Sequence, residues 1–388
     1  NGFARRRDGV CVGALSLVVE VSIWHENVYP AIGLFVLLTW LELGYGVTTS
    51  PKATAYMGLG MAGAAVVAAL VWDGKKFCKW MCPVGRISGI YANFSPIEIR
   101  RRNANVCARC ETQDCLNGNE NGYPCPTNIL LKTQETANYC TMCTECFKSC
   151  TNRNVALNLR PFGTDLRKVP KVRLDEAWLA LTLLTLTLFH GFSMTSTWES
   201  FEPGKMSVLK WLEVSLGTSH TVNFTIAMVA VCAVPIALYW ASCRIGAWWA
   251  DDARVDAGEL FRRYSYSLLP VALFYHLAHN AMHLLEEGSA LIPLLSDPFG
   301  TGANYFGTAE MHIGSVIGDG PLWTIQVGLI LVGHLFGILV AHRMGHALYD
   351  DETSATRSLI PMLVMMVLIS AVGLGLMHLD MNMRMGRM

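Results

Sequence analysis

The sequence predicts an all-α polytopic membrane protein that carries a cysteine-rich polar segment between its helices. Of the 388 residues, 52% are hydrophobic and only 15% are charged, whereas about 25% are charged in ordinary soluble domains. Ten of the 13 cysteines lie between Cys78 and Cys150, which confines their role to that segment. The formal net charge is zero, and nucleic-acid binding is excluded because it needs a basic excess on one face.

The apolar segments predict about eight transmembrane helices, since one span needs about 20 mostly apolar residues. Six uncharged segments meet this length, and two weaker ones are interrupted by Glu20 and Glu42. In chain order the predicted spans are residues 9–23, 27–45, 53–72, 177–198, 214–243, 264–285, 321–342 and 358–379.

The distribution of charge predicts the orientation of these spans. Residues 73–173 hold 16 basic and 8 acidic side chains, whereas the loop 286–320 holds five acidic and no basic ones. Because cytoplasmic loops carry the excess of Lys and Arg, the cysteine-rich segment should be cytoplasmic and the acidic loop periplasmic in a bacterial inner membrane. The predicted regions are N-terminal transmembrane helices (1–75), a cytoplasmic module (76–173) and a C-terminal helical bundle (174–388).

The cysteine spacing predicts two [4Fe–4S] clusters in this module. A run that begins at Cys140 has the CxxCxxCxxxC spacing of bacterial ferredoxins, and a related CxxCxxxxC run begins at Cys107. In two-cluster ferredoxins the last cysteine of each run ligates the other cluster. Disulfides are disfavoured in the cytoplasm, and zinc is the remaining alternative, because CxxC pairs also bind it. The assignment is Cys107, Cys110, Cys115 and Cys150 to the first cluster, and Cys140, Cys143, Cys146 and Cys125 to the second.

Cys78 and Cys82 form a separate motif, Cys78-x3-Cys82-Pro83, directly after the third predicted span. Four residues apart on a helix, the two thiols share one face at the membrane surface. Three functions stay open for them: a redox dithiol, a metal site or part of a quinone site. A pair of small packing residues is the structural alternative.

The segment FCKWMCPVGRISG after a span, followed by the two ferredoxin-type runs, resembles the NapH/NosR family of membrane polyferredoxins, which includes cytochrome-oxidase assembly ferredoxins. The resemblance extends over residues 53–266. It implies a chain that carries electrons between the quinol pool, cytoplasmic iron–sulfur clusters and periplasmic redox enzymes or their maturation. The family's second CxxxCP motif is incomplete here, because Cys243 has Ala247 at its partner position and no Pro follows.

Three histidines lie near the predicted midplane of the membrane: His276, His279 and His334. At 100° per residue, His276, His279 and His283 fall within about 60° of arc on one helix face. Ionisable residues inside a membrane are costly and mark functional sites, and imidazole is an axial ligand of haem iron. His276, His279 and His334 are therefore candidates to hold a b-type haem or a quinone. Another metal site and hydrogen-bonded packing are the alternatives.

A second group of histidines lies toward the periplasmic ends of the predicted spans, near acidic side chains. Neutral imidazole and carboxylate suit copper, zinc or iron, so a metal site or a proton acceptor for quinol stays open. Thioethers in the C-terminal tail favour Cu(I), and a flexible or lipid-facing tail is the simpler account. The group consists of His190, His220, His283, His312, His378, Glu286, Glu287, Glu310 and Asp319.

Together these patterns predict a protein that passes electrons between the quinone pool and a partner redox enzyme, through two clusters and, if the histidines bind one, a haem b. Its predicted partners are a membrane redox complex or a periplasmic redox enzyme, quinone or quinol, and the lipid bilayer. The alternative is a maturation reductase for a copper or haem enzyme, and a third interpretation is a redox sensor or structural anchor. No motif for nucleotide binding or serine hydrolysis is present.

Overall fold

The computed structural model describes residues 26–47, 50–71, 75–168, 172–200, 204–311, 313–314 and 316–379, and 68% of these described residues are helical. In chain order the helices and strands are α1 (Tyr29–Tyr45), α2 (Pro51–Val71), α3 (Pro83–Tyr91), β1 (Ile97–Arg101), α4 (Ala104–Ala108), α5 (Asp114–Asn117), α6 (Glu145–Ser149), β2 (Val155–Leu159), α7 (Thr164–Arg167), α8 (Leu174–Ser193), α9 (Val208–Leu216), α10 (His220–Ala250), α11 (Ala257–Met282), α12 (Leu291–Ser296), α13 (Asp319–Leu348) and α14 (Glu352–His378).

Among the described residues, four helices are long and apolar enough to cross a membrane, fewer than the eight predicted spans. They correspond to α2, α10, α13 and α14 and cover Pro51–Val71, His220–Ala250, Gly320–Leu348 and Glu352–Leu376. The helix predicted at 27–45 is present as α1 but has only 17 residues. The segment predicted at 9–23 lies outside the described residues.

Helices α8 and α11 are long enough to cross a membrane, with 20 and 26 residues, but neither is among the four helices that are both long and apolar enough. Asp175 and Glu176 lie in the first turn of α8, and Arg262 and Arg263 lie near the start of α11. Both helices pack against other helices of the bundle, α8 against α11 and α11 against α13. A helix that faces protein rather than lipid needs no continuous apolar surface, which accounts for their composition.

The cysteine-rich segment forms a module that is not purely helical. Its two strands, β1 and β2, pair as a two-stranded antiparallel sheet in which Ile97 lies opposite Leu159 and Arg101 opposite Val155. This sheet was not predicted, because each strand has only five residues and alternates weakly. All cysteines from Cys107 to Cys150 lie between the two strands, so the sheet closes the loop that carries them.

The module rests on the bundle through aromatic side chains. The Phe336 ring on α13 lies 5.9 Å from Phe94 and 6.0 Å from Phe162, measured between centroids. Gly163 lies against the same ring, and a Cβ at this position would approach Phe336 Cζ to 2.2 Å. Because Gly163 also has a positive φ of 70°, glycine suits this close contact on both counts.

Candidate metal centre

The four cysteines assigned by spacing to the first cluster line one cavity of the module. Cys107, Cys110 and Cys115 come from α4, α5 and their connecting loop, whereas Cys150 follows α6. Burial raises the pKa of the Cys115 thiol, and the neighbouring Cys150, Cys107 and Cys110 raise it further. The fold thus gathers around one space four thiols that are up to 43 residues apart in the sequence.

The cysteines assigned to the second cluster are also close enough to influence one another. Burial raises the pKa of Cys146 to about 12, and the neighbouring Cys140, Cys143 and Cys125 contribute to the shift. Burial likewise raises the pKa of Cys140, with Cys125 and Cys143 among its neighbours. Close, partly buried thiols of this kind ionise readily only when a positive charge, such as bound iron, compensates them.

Amide groups point at the sulfurs of both sets. The Ile129 N–H donates to Cys125 Sγ at 3.3 Å, and the Asn154 N–H donates to Cys150 Sγ at the same distance. The Asn154 side chain adds a bond from Nδ2 to Cys107 Sγ at 3.2 Å. Hydrogen bonds to the sulfurs of a cluster set its reduction potential.

The loops after Cys125 and Cys150 repeat one backbone conformation. Asn128 and Arg153, each three residues after its cysteine, have positive φ angles of 55° and 47°. The residue that follows donates its N–H to the sulfur in both loops. Such φ values are uncommon outside glycine. Their recurrence shows that the two loops adopt the same turn around their cysteine sulfurs.

Both sets consist of thiols that lie near one another and near N–H donors, which are the donor type and surroundings found in [4Fe–4S] sites. All twelve cysteines in the described part of the chain are free thiols. No group of three or more His, Cys, Asp or Glu side chains among the described residues is arranged to hold a single metal ion. The thiols of the first set instead surround a cavity, as ligands of a multi-iron cluster do.

Cys78 and Cys82 do not lie on a regular α-helix. Residues Phe77–Met81 form a π-helical turn, in which the Cys82 N–H donates to the Phe77 carbonyl at 2.8 Å, and α3 begins at Pro83. Cys78 is exposed and Cys82 is half-buried. The Lys75 N–H donates to the Pro126 carbonyl at 2.7 Å, so this motif lies against the loop of Cys125.

Of the three histidines predicted to lie near the midplane, His276 has both ring nitrogens in hydrogen bonds. Nδ1 lies 2.6 Å from Tyr91 Oη, and Nε2 lies 2.7 Å from Thr187 Oγ1. In this arrangement neither nitrogen faces an open coordination position, so His276 links α3, α8 and α11. His334 Nδ1 lies 3.0 Å from Ser370 Oγ on α14.

His279 lies in a cluster of histidines. Its Nε2 is 3.2 Å from His283 Nε2, and its ring centroid is 4.9 Å from that of His190. His220, predicted in the same outer group, lies 3.4 Å from Glu199 instead. His312 and the tail from residue 380 lie outside the described residues.

A buried polar network next to the second cysteine set escaped the sequence analysis. Glu176, 5% exposed, accepts hydrogen bonds from Asn138 Nδ2, Tyr139 Oη and Tyr266 Oη at 2.9, 2.5 and 3.0 Å. Arg86, 2% exposed, donates to the backbone and side chain of Asn138. The sequence signal for this network was the acidic residue Glu176 at the start of an apolar run.

A family model described as a 4Fe-4S binding domain matches residues 54–102. The matched segment includes most of α2, the motif of Cys78 and Cys82, and β1, and it ends before Cys107. No curated protein and no solved structure matches the chain. The match supports an iron–sulfur protein with at least one cluster, and the apolar helices are consistent with membrane association.

Proposed function

We propose that this chain is a membrane-bound electron-transfer protein with two [4Fe–4S] clusters. One is held by Cys107, Cys110, Cys115 and Cys150, and the other by Cys125, Cys140, Cys143 and Cys146. The observation that carries the proposal is the single cavity lined by the four cysteines of the first set. Bound clusters supply one-electron carriers at these two positions.

The protein's own groups tune these carriers. The Ile129 and Asn154 amides stabilise negative charge on the sulfurs and so favour the reduced state. Lys79, on the π-helical turn, lies near enough to Cys125 to be influenced by it. Burial lowers the pKa of Lys79, and the charges of Glu26 and Cys125 act in the opposite direction. A cation at this position would favour reduction of a cluster held by the second set.

The proposed orientation places the module in the cytoplasm and the chain in a bacterial inner membrane. The excess of basic over acidic residues in 73–173 supports it. We include α8 and α11 among the membrane-crossing helices, because their lengths of 20 and 26 residues span about 30 Å or more. The regions 1–75, 76–173 and 174–388 remain the proposed domain division.

The proposed electron exchange runs between the quinone pool and a partner redox enzyme. The contact between the motif of Cys78 and the loop of Cys125 supports a path that connects the membrane surface to the second set. A b-type haem stays a prediction for His279 and His334, since both nitrogens of His276 already have partners. A pyridine haemochrome spectrum of the purified protein tests it.

Metal analysis of the full-length, anaerobically purified protein tests the proposal. Two clusters require about eight irons per chain. Cys110→Ser and Cys143→Ser should each lower the iron content to about four, and each should remove a different signal from the electron paramagnetic resonance spectrum. Cys232→Ser, outside both sets, is the matched control and should keep all iron. Zinc in place of iron would contradict the clusters, and loss of the same signal in both variants would contradict the ligand assignment.

A further inference from the structure

A second cavity lies where the cysteine module meets the bundle. It has a volume of about 360 Å³, within the range of about 300–1,000 Å³ typical of small-molecule sites. Its walls come from the segments 128–130 and 133–136 of the module, from Tyr139, from Arg173 and Glu176 around the start of α8, and from Tyr266 on α11.

Two hydrogen-bond acceptors in its walls have unused capacity. Gln134 Oε1 is buried and has no hydrogen-bond partner. A carboxylate has about four acceptor sites, and Glu176 uses three of them, for Asn138, Tyr139 and Tyr266. Buried polar atoms are normally paired, so the unpaired oxygen of Gln134, a residue that lines the cavity, can accept a hydrogen bond from a donor that reaches it.

The charges of the walls disfavour an anionic ligand. Arg173 is the only cation among the lining residues, and it is paired with Asp175 at 2.8 Å. Glu135 and Glu176 add two acidic groups. A phosphate or carboxylate ligand would meet two acidic groups and no unpaired cation of the walls, whereas a neutral ring with hydroxyl donors matches both the acceptors and the apolar side chains of Ile129 and Leu130.

Two residues that line the cavity lie next to cysteines of the second set. Ile129, which lines it, donates its N–H to Cys125 Sγ at 3.3 Å. Tyr139, which also lines it, directly precedes Cys140. A redox-active molecule in this space would therefore contact residues that directly adjoin two of the four cysteines of the set.

We propose that this cavity binds the ring of a quinone–hydroquinone carrier, with Gln134 and Glu176 accepting hydrogen bonds from its hydroxyl groups. The assignment rests on the proposed function and adds the place of exchange. Oxidation of one hydroquinone to quinone releases two electrons and two protons. Clusters held by the two cysteine sets would each take up one of these electrons, while the Glu176 carboxylate accepts one proton and water in the cavity accepts the other. Reduction of quinone at the same place reverses every transfer.

Binding of decylubiquinone and its hydroquinone to the full-length protein in phospholipid nanodiscs tests the proposal. Thr136→Trp fills the cavity and should weaken binding of both forms about tenfold or more, which equals about 1.4 kcal/mol. Glu176→Gln removes the charge at nearly constant shape and should weaken hydroquinone binding more than quinone binding. Thr301→Trp, the same substitution in an exposed loop, is the control and should bind like the parent protein.

Photolabelling with an azidoquinone gives an independent readout that does not depend on any variant folding well. The label should map to the segments 128–139 or 173–176 and be displaced by decylubiquinone. Unchanged affinity in Thr136→Trp with full iron content would overturn the proposal, as would labelling confined to Cys78–Cys82 or to His276–His283. Absence of iron from the parent protein would instead contradict the proposed function, so the two failures are distinguishable.

Discussion

Asn154 connects the sheet of the module to both ends of the first cysteine set. Its backbone N–H contacts Cys150 and its side-chain Nδ2 contacts Cys107. The same side chain accepts a bond from the Asn103 N–H at 2.9 Å and donates to the Asn103 carbonyl at 2.8 Å. Asn154 thus holds Asn103, the residue before α4, in place and donates two hydrogen bonds to cysteine sulfurs.

Asn154→Asp should lower the midpoint potential of the first cluster. The aspartate keeps the acceptor for Asn103 but loses the donor to Cys107 and adds a negative charge. Loss of about 1 kcal/mol of stabilisation in the reduced state corresponds to roughly 40 mV for one electron. A redox titration followed by electron paramagnetic resonance measures the shift.

The signal of the second cluster should stay unchanged in the same titration, which provides an internal reference. Asn121→Asp places the same substitution at an exposed turn and should leave both potentials within a few millivolts of the parent value. A shift confined to the second cluster would contradict the contact of Asn154 with the first set.

At the scale of elements, a buried ionic network holds the sheet to the segment that precedes Cys140. Glu98 and Asp165 each pair with both Arg100 and Arg160, at 2.6–3.2 Å. Arg100 also donates to the carbonyls of Gln134 and Glu135, and the Ala137 N–H donates to Asp165. Because β1, α7 and Arg160, which directly follows β2, all contribute, this network sets the position of the second cysteine run relative to the sheet.

Glu98→Gln should destabilise the protein in a pH-dependent way. Burial opposes ionisation of Glu98, but the hydrogen bond from Arg100 and the charges of Arg100 and Arg160 lower its pKa below the ordinary 4.5. A carboxyl with a lowered pKa stabilises the fold above its unfolded pKa, and this contribution is lost as the pH falls through its folded pKa. We therefore expect a cost of about 3 kcal/mol at neutral pH, and a smaller cost below pH about 4.

Thermal unfolding of parent and variant at neutral pH and at pH about 3.5 measures this difference. Glu135→Gln, at an exposed position outside the network's side-chain pairs, is the control. An equal cost for Glu98→Gln at both pH values would mean that the charge of Glu98 contributes nothing to stability.

The contact between α11 and α13 depends on glycines that bring the two backbones together. A Cβ on Gly333 would lie 2.9 Å from the Pro270 carbonyl oxygen, and one on Gly337 would lie 2.8 Å from that of Ser267. Small residues at such positions allow close approach of helices in membranes. A Cβ on Gly328 of the same helix would meet no neighbouring heavy atom within 4 Å, so this glycine faces outward.

Gly337→Ala and Gly328→Ala should change stability in opposite directions. Alanine favours a helix over glycine by about 0.5–1 kcal/mol, and Gly328→Ala should show this gain. At Gly337 the added methyl group meets backbone, and overpacking costs about 1–3 kcal/mol, so this variant should be less stable than the parent. Denaturation in a mixed detergent series measures both, and equal effects would contradict the close approach at Gly337.

At the scale of the whole molecule, the apolar helices and the charge of the loops together define how the chain would sit in a bilayer. The four spans expose large apolar side chains, among them Leu59 and Val66 on α2 and Val229 on α10. The module between α2 and α8 carries most of the basic residues of the chain. The prediction that follows is that Asn121 and Thr301 face opposite sides of the membrane.

Reporter insertions test that prediction. Alkaline phosphatase, which folds only outside the cytoplasm, should be active when inserted after Thr301 and inactive after Asn121. Green fluorescent protein at the same two positions should give the inverse pattern, which controls for expression. Active alkaline phosphatase after Asn121, or fluorescent protein after Thr301, would contradict the proposed orientation.

The sequence was sufficient for features that depend on local pattern. Ligand spacing within a run is a property of a few consecutive residues, so the two cysteine sets could be written down before the cavity around Cys107, Cys110, Cys115 and Cys150 was known. Uninterrupted apolar runs likewise predicted α2, α10, α13 and α14. The other predicted spans stay predictions, because an apolar run by itself does not distinguish a helix that faces lipid from one, such as α8, that is buried among other helices.

By itself, the sequence determined the apolar helices and predicted an iron–sulfur protein with named candidate cysteine ligands, because composition and spacing are local. Only the tertiary structure decided what surrounds them: the two bonds that occupy His276, the cluster of Glu176 with Tyr139 and Tyr266, and the cavity beside Cys125 and Cys140. These contacts join residues that are 37 to 185 positions apart. No periodicity or spacing encodes such pairs, since they form only when separate helices pack and bury polar groups that must then find partners.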